Sequence, residues 1–144
     1  MRDATVKHLS RLHTALYRMT RGVVGTRLVA NDMLLLATTG RRTGNTHTVP
    51  LLYLTDGQDY VVIASFGGRP DHPEWYGNLV ATPAARITVG ARDVPVTATT
   101  MGRDERDAWW PRVVAAYGDY AVYQSRTRRE IPLVRLTPDA PRGG

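Results

Sequence analysis

The run Leu34-Leu35-Leu36-Ala37-Thr38-Thr39-Gly40-Arg41-Arg42-Thr43-Gly44 constrains the fold more than any other stretch. Its apolar part is far too short to cross a membrane as a helix. Two glycines and a basic doublet end it abruptly, so it reads as a strand entering a tight turn. Glycine lets backbone N–H groups approach a ligand closely. Arginine offers a planar, permanently charged fork that matches phosphate or carboxylate. The turn is either an anion receptor or the solvated basic tip of a β-hairpin, and taken alone it does not decide between them.

The chain downstream is punctuated in the same way. Residues 47–54 form a second strand, with Pro50 placing it at an edge or a bulge. Asp56-Gly57 signals a hairpin. Residues 60–66 form a third strand, broken by Gly67-Gly68-Arg69-Pro70. Pro73 then opens a short helix over residues 74–81, with Asp71 or His72 as its cap, and Thr82-Pro83 ends it. Strands follow near residues 86–89 and 94–99, joined by Gly90-Ala91-Arg92-Asp93. Asp104, Glu105 and Asp107 open another helix, as the helix dipole favours. Pro111 should break or kink that helix, while Val113, Val114 and Tyr117 continue its apolar face. Residues 131–136 read as a last strand, and the Pro/Gly-rich tail from residue 139 as frayed. Upstream, Leu9, Leu12, Leu16 and Met19 recur at helical spacing over residues 5–22, among His8, Arg11, Arg18 and other basic side chains. That amphipathic helix either docks on the domain or lies on an anionic membrane surface. The order of elements predicts one mainly β domain over residues 1–144, a small antiparallel barrel flanked by helices.

Composition narrows the chemistry. No cysteine is present, which removes disulfides, thiolate metal sites and a cysteine nucleophile. The four histidines (His8, His13, His47 and His72) fall on unrelated elements without metal-ligand spacing, so no metal site is expected. There is no G-x-S-x-G elbow, and the glycine turn leads into a strand where a dinucleotide fingerprint would need a helix. The net charge of +6 comes from 18 arginines and a single lysine. It favours acidic ligands, but the aromatics are not interleaved with the basic residues as base-stacking proteins require, so nucleic acid is not an expected partner. Without a signal-peptide pattern or a membrane span, a cytoplasmic protein is expected, with membrane association through residues 5–22 as the alternative.

Four segments remain that suit a ligand with an anionic tail and a flat ring: the 40–44 turn, Ala64-Ser65-Phe66-Gly67-Gly68, Pro73-Glu74-Trp75-Tyr76-Gly77-Asn78-Leu79, and Tyr117-Gly118-Asp119-Tyr120-Ala121-Val122-Tyr123. The second offers a small hydroxyl and backbone donors at a strand end. The third carries an indole, a phenol and an amide on one short helix, although Trp75 and Tyr76 would serve equally as core. Three tyrosines at every third residue form either a buried stripe or a set of hydroxyl donors in a half-apolar pocket.

In this order and spacing the segments resemble the deazaflavin-dependent nitroreductases, the coenzyme F420-dependent quinone reductases of actinobacteria, from about Leu34 to Pro138. Further matching pieces are Pro50-Leu51, Trp110-Pro111, and Tyr123-Gln124-Ser125 followed by Ile131-Pro132. The resemblance implies a split β-barrel like that of flavin-binding barrels, and an oxidoreductase. Its reaction would pass hydride from reduced F420, an 8-hydroxy-5-deazaflavin, to a quinone, nitroaromatic or activated enone. FMN is the lesser cofactor candidate, and a non-catalytic deazaflavin or flavin carrier is the alternative function. Arg41, Arg42, Thr43 and His47 would lie near the phosphate- and glutamate-bearing tail, and Pro50 would line the cleft. Ile63, Ala64, Ser65 and Phe66, with Glu74, Trp75, Tyr76 and Asn78, would hold the phosphate, lactyl and ring portions. Tyr117, Tyr120 and Tyr123 would cover the substrate side with Ser65 beside them, Tyr120 nearest the cofactor, and a tyrosine would donate the proton. His47 stands where arginine is frequent, Phe66 where some relatives carry lysine, and Leu52 where one branch has tyrosine; Arg69 is the candidate to restore the lost charge. Barrels of this kind often pair, so a homodimer is compatible.

Overall fold

The computed structural model describes residues 33–139. The expected helix over residues 5–22 and the tail from residue 140 lie outside the described residues.

Six antiparallel strands close into a barrel in the order β1-β2-β3-β6-β5-β4: β1 (Met33–Thr39), β2 (Thr46–Asp56), β3 (Asp59–Ile63), β4 (Ala84–Val89), β5 (Arg92–Thr100) and β6 (Leu133–Pro138). β1 seals the barrel by pairing with β2 through Leu35↔Pro50 and with β4 through Leu36↔Ile87. Helices α1 (Glu74–Ala81), α2 (Arg103–Ala116) and α3 (Asp119–Ser125) and a 3-10 turn over Phe66–Gly68 fill the connections.

Two apolar clusters explain why β3 reads as a continuous apolar run. Val62 points into the barrel with Leu34, Leu36, Ile87, Val96 and Leu136, where Trp75 and Leu79 of α1 close one side. Its neighbours Val61 and Ile63 face outward and pack with Trp109, Val113, Tyr120 and Ile131 beneath α2 and α3. A strand buried on both faces loses the polar alternation of a half-exposed one. Arg135 of β6 ties this side together, reaching Asp56 at 2.9 Å, Asp59 at 3.0 Å and Glu105 at 2.6 Å.

Several details differ from expectation. Strand β3 ends at Ile63, three residues early, because the chain turns into the 3-10 segment at Phe66. Neither Asp71 nor His72 caps α1; the buried Pro73 itself occupies the cap position with extended backbone (φ −66°, ψ 154°). Pro111 sits inside α2 without ending it. It is exposed, and the burial of Arg106, Trp109 and Val113 on the opposite side outweighs a proline cost of about 3 kcal/mol. Tyr117 caps α2 and so stands outside α3, which carries Tyr120 and Tyr123. Asp139 is not frayed: its N–H donates to the Pro95 carbonyl at 3.0 Å. Pro50 does lie at a local edge, since β3 pairs only with Tyr53–Asp56 of β2.

Candidate functional site

The 40–44 turn is closed by its own backbone, with Gly44 N–H on the Gly40 carbonyl at 2.8 Å. Its first arginine turns inward. The Arg41 N–H donates to Asn78 Oδ1 at 3.1 Å, and Nη1 reaches the same oxygen at 2.9 Å and Glu74 Oε1 at 3.0 Å. Asn78 is only 4% exposed, and its Nδ2 donates to Thr38 Oγ1 at 3.1 Å. Glycine at 77 leaves room for this approach, since a Cβ there would stand 2.9 Å from Arg41 Cζ and the guanidinium would have to shift. The first and third sequence segments therefore meet through Arg41 and Asn78. Arg42 and Thr43 are exposed, and the Thr43 hydroxyl accepts from Asn45 N–H at 3.1 Å. His47 on β2 lies against Gly40.

The second turn is built differently. Ser65 is right-handed (φ −80°, ψ −39°), while Phe66 (φ 49°), Gly67 (φ 65°) and Gly68 (φ 80°) are left-handed. A right-handed residue followed by left-handed ones aligns successive N–H groups into a concave anion nest. Phe66 is the only described non-glycine residue at positive φ, a conformation with a real steric cost. Gly68 N–H donates to Ser65 O at 2.9 Å and Arg69 N–H to Phe66 O at 3.1 Å. No hydrogen bond among the described residues uses the N–H of Ser65, Phe66 or Gly67. Gly68 is required by close approach: a Cβ there would run into the Tyr123 carbonyl and stand 3.0 Å from Arg126 Cβ. The second and fourth segments therefore meet, α3 resting on the turn. Arg69 lays its guanidinium over the Phe66 ring, 4.6 Å from the centroid, so charge does return beside position 66.

An arginine that the sequence did not single out holds this turn from behind. Arg129 donates from Nη1 to Ala64 O at 3.1 Å, from Nη2 to Ser65 O at 2.6 Å and from Nε to Arg69 O at 2.9 Å. Its Nη1 also lies 3.0 Å from His72 Nδ1. Partial burial pulls the Arg129 pKa below its ordinary value, with Asp71 opposing. Burial, then the Arg129 charge, lower the His72 pKa against the pull of Asp71, so His72 is neutral at pH 7 and its Nδ1 accepts. The His72 ring meets Tyr76 edge-on at 4.9 Å, which joins the second turn to α1. Gln124 fixes the segment carrying Arg129: Nε2 donates to Arg129 O at 2.8 Å, and Oε1 accepts from Ile131 N–H at 3.0 Å and Arg106 Nη2 at 2.8 Å.

The tyrosines form an edge-to-face stack, with ring centroids 6.0 Å apart for Tyr117 and Tyr120 and 5.7 Å for Tyr120 and Tyr123. The Tyr117 hydroxyl donates to Tyr53 O at 3.0 Å. Tyr120 is 8% exposed. Burial first, then Tyr123, Tyr117 and Asp119, push its pKa well above the ordinary tyrosine value. At neutral pH it is therefore protonated, able to donate from its hydroxyl but not to act as a general base.

Other expected site residues are buried in the walls. Ile63 and Trp75 belong to the two cores, and Pro50 and Ala64 are buried. Tyr76 packs against the barrel core and its hydroxyl lies 3.0 Å from Thr100 Oγ1. Arg129 stands 60 to 65 positions from the carbonyls it binds, so no local spacing reveals it.

A family model described as F420H(2)-dependent quinone reductase matches residues 9–138. The chain is 44% identical over 133 residues to an F420H(2)-dependent quinone reductase of Mycobacterium tuberculosis H37Rv, covering 90% of this chain and 89% of that relative. Among solved structures, an F420-H2 dependent reductase (FDR-A) aligns with a TM-score of 0.67 at 38% identity, over 73% of this chain and 93% of that one. Another, described as a domain-swapped dimer, aligns with a TM-score of 0.69 at 34% identity, over 85% of this chain and 93% of that one.

Proposed function

Because the chain belongs to the F420H(2)-dependent quinone reductase family, we propose that its 65–68 turn, the 40–44 turn and the tyrosine stack together form the site where F420H2 reduces an electron-poor acceptor. The observation that carries this assignment is the run of three N–H groups at Ser65, Phe66 and Gly67, aligned in a nest and without a hydrogen-bond partner among the described residues. Such a nest suits a tetrahedral phosphate, so the residues present fit the phosphate-bearing tail of F420. The exposed Arg42 and Thr43 suit the acidic end of that tail.

When bound, reduced F420 supplies a hydride to the acceptor. The chain's own residues do the rest. The nest and the 40–44 turn hold the anionic tail, and the inward-turned Arg41 fixes that turn to α1 through Asn78 and Glu74. Tyr120, kept protonated by burial, donates a proton to the reduced acceptor or a hydrogen bond to the oxygen on which charge develops. Tyr117, tied to Tyr53 O, and Tyr123 hold the Tyr120 ring by edge-to-face contact and shield the acceptor from water. The acceptor class is that of the family, a quinone; nitroaromatics and activated enones share the same electron-poor chemistry.

Titration with oxidised F420, FMN and NADPH, followed by F420H2 oxidation with menaquinone or a nitroaromatic, tests this reading. We expect F420 to bind in preference to the other two and F420H2 to be consumed on adding acceptor. Absence of F420 binding and of turnover would overturn it.

Pairing of two chains is supported by the similar protein described as a domain-swapped dimer; light scattering after size exclusion should give a mass near 32 kDa, twice the chain's 16.0 kDa. Among the described residues no helix is long and apolar enough to cross a membrane.

A further inference from the structure

We propose that Arg129 is a positioning residue for the anionic tail: it acts from behind the 65–68 turn, aiming the Ser65 and Phe66 N–H groups at the ligand without touching it. This inference rests on the F420-dependent reading of the site.

The argument begins with the peptide unit. In a trans peptide the C=O and the following N–H share one plane and point in opposite directions, and the described chain contains no cis peptide. The carbonyl of Ala64 therefore fixes the direction of the Ser65 N–H, and the carbonyl of Ser65 that of the Phe66 N–H. Arg129 holds both carbonyls, at 3.1 and 2.6 Å. Two of the three N–H groups of the nest are thus aimed away from the guanidinium, toward the side left for a ligand.

Further features agree. The Nε bond to Arg69 O at 2.9 Å closes the far end of the turn, so one rigid fork spans the turn from end to end. Donation to a carbonyl polarises the peptide and strengthens its N–H as a donor. The charge stands one peptide behind the nest in a partly desolvated place, where it favours an anion on the other side. The segment bearing Arg129 is already fixed by Gln124 through Arg129 O and Ile131 N–H, so the fork is presented from a rigid support. The positive φ of Phe66 is a strained conformation that a turn held at both ends can maintain. Lysine cannot replace this device, because its donors radiate from one atom and do not match three carbonyls across a planar fork.

The test compares two ligands: F420, and the same deazaflavin without its phosphate-bearing tail. Dissociation constants are measured by fluorescence for the wild type, Arg129→Lys and Arg129→Ala, with thermal midpoints recorded in parallel. We expect Arg129→Lys to weaken F420 at least about tenfold while the tail-less ligand changes less than about twofold. Millimolar guanidinium, against matched sodium chloride, should restore part of the F420 affinity of Arg129→Ala. Equal weakening of both ligands, or F420 binding unchanged in Arg129→Lys, would overturn the proposal. If Arg129→Ala does not fold, Arg129→Lys alone decides. Failure of the wild type to bind F420 at all would instead overturn the reading of the site, so the two failures are separable.

Discussion

Two glycine-bearing turns flank the candidate site, and each depends on an arginine, in opposite ways. In the 40–44 turn the arginine belongs to the turn and reaches away from it to a helix, where Arg41 meets Asn78 and Glu74. In the 65–68 turn the arginine comes from a distant segment and reaches inward, where Arg129 takes three carbonyls. The first arrangement immobilises a charged side chain and leaves the neighbouring Arg42 exposed. The second immobilises carbonyls, and the N–H groups of Ser65, Phe66 and Gly67 have no hydrogen-bond partner among the described residues. The conspicuous Arg41 is thus bound to Asn78 and Glu74, and on the reading proposed above the less conspicuous turn is the anion receptor.

Variants on either side can break this contrast. The largest effect is expected beside the second turn: Tyr120→Phe should lower turnover about 100-fold while F420 affinity stays within about threefold, as steady-state rates and fluorescence titration will show. An unchanged rate would remove Tyr120 from the proton transfer. At the first turn, Asn78→Ala leaves the Arg41 N–H without its acceptor, Nη1 with Glu74 alone, and Thr38 without its donor. Loss of these buried bonds should cost roughly 1–3 kcal/mol of stability, visible in denaturant midpoints. Arg41→Ala removes a half-exposed ion pair and should cost about 1 kcal/mol or less. Its loss of F420 affinity should be smaller than that of Arg129→Lys; a larger loss would make Arg41 a ligand and reverse the contrast.

The smallest effect concerns pH. The folded-state pKa of His72 is lowered below 6.5, so as pH falls below that value the unfolded chain takes up a proton first. The His72 contribution is fully present above about pH 6.5 and is lost progressively below it. His72→Gln should flatten the dependence of the thermal midpoint on pH in that window. An undiminished slope would show that another group titrates there.

Much of this was legible in the sequence, for identifiable reasons. Strands announced themselves through apolar runs bounded by Asp56-Gly57, Thr82-Pro83 and the 40–44 glycines, and α1 was read with the bounds it has, Glu74–Ala81. What escaped depends on burial or on long-range contact. Pro111 survives within α2 because Trp109 and Val113 are buried on the other side, which local propensity does not register. Where β3 ends early, Arg129 binds the Ala64 and Ser65 carbonyls and α3 lies against Gly68, both contacts from distant segments. Asn78 and Trp75 stood out as ligand contacts, and the fold adds partners that no spacing shows: Arg41 and Thr38 for one, the barrel core for the other. A motif residue and a wall residue look alike until the fold brings their partners together.

The central claim is that backbone N–H groups of the 65–68 turn, rather than Arg41, receive the phosphate of the anionic tail. Amide chemical shifts followed by NMR during titration with F420, and with the tail-less deazaflavin, test it most directly. The account predicts that Ser65, Phe66 and Gly67 give the largest amide shifts with F420 and only small ones with the tail-less ligand. Equal shifts at these three amides with both ligands, or shifts confined to residues 40–44, would contradict it.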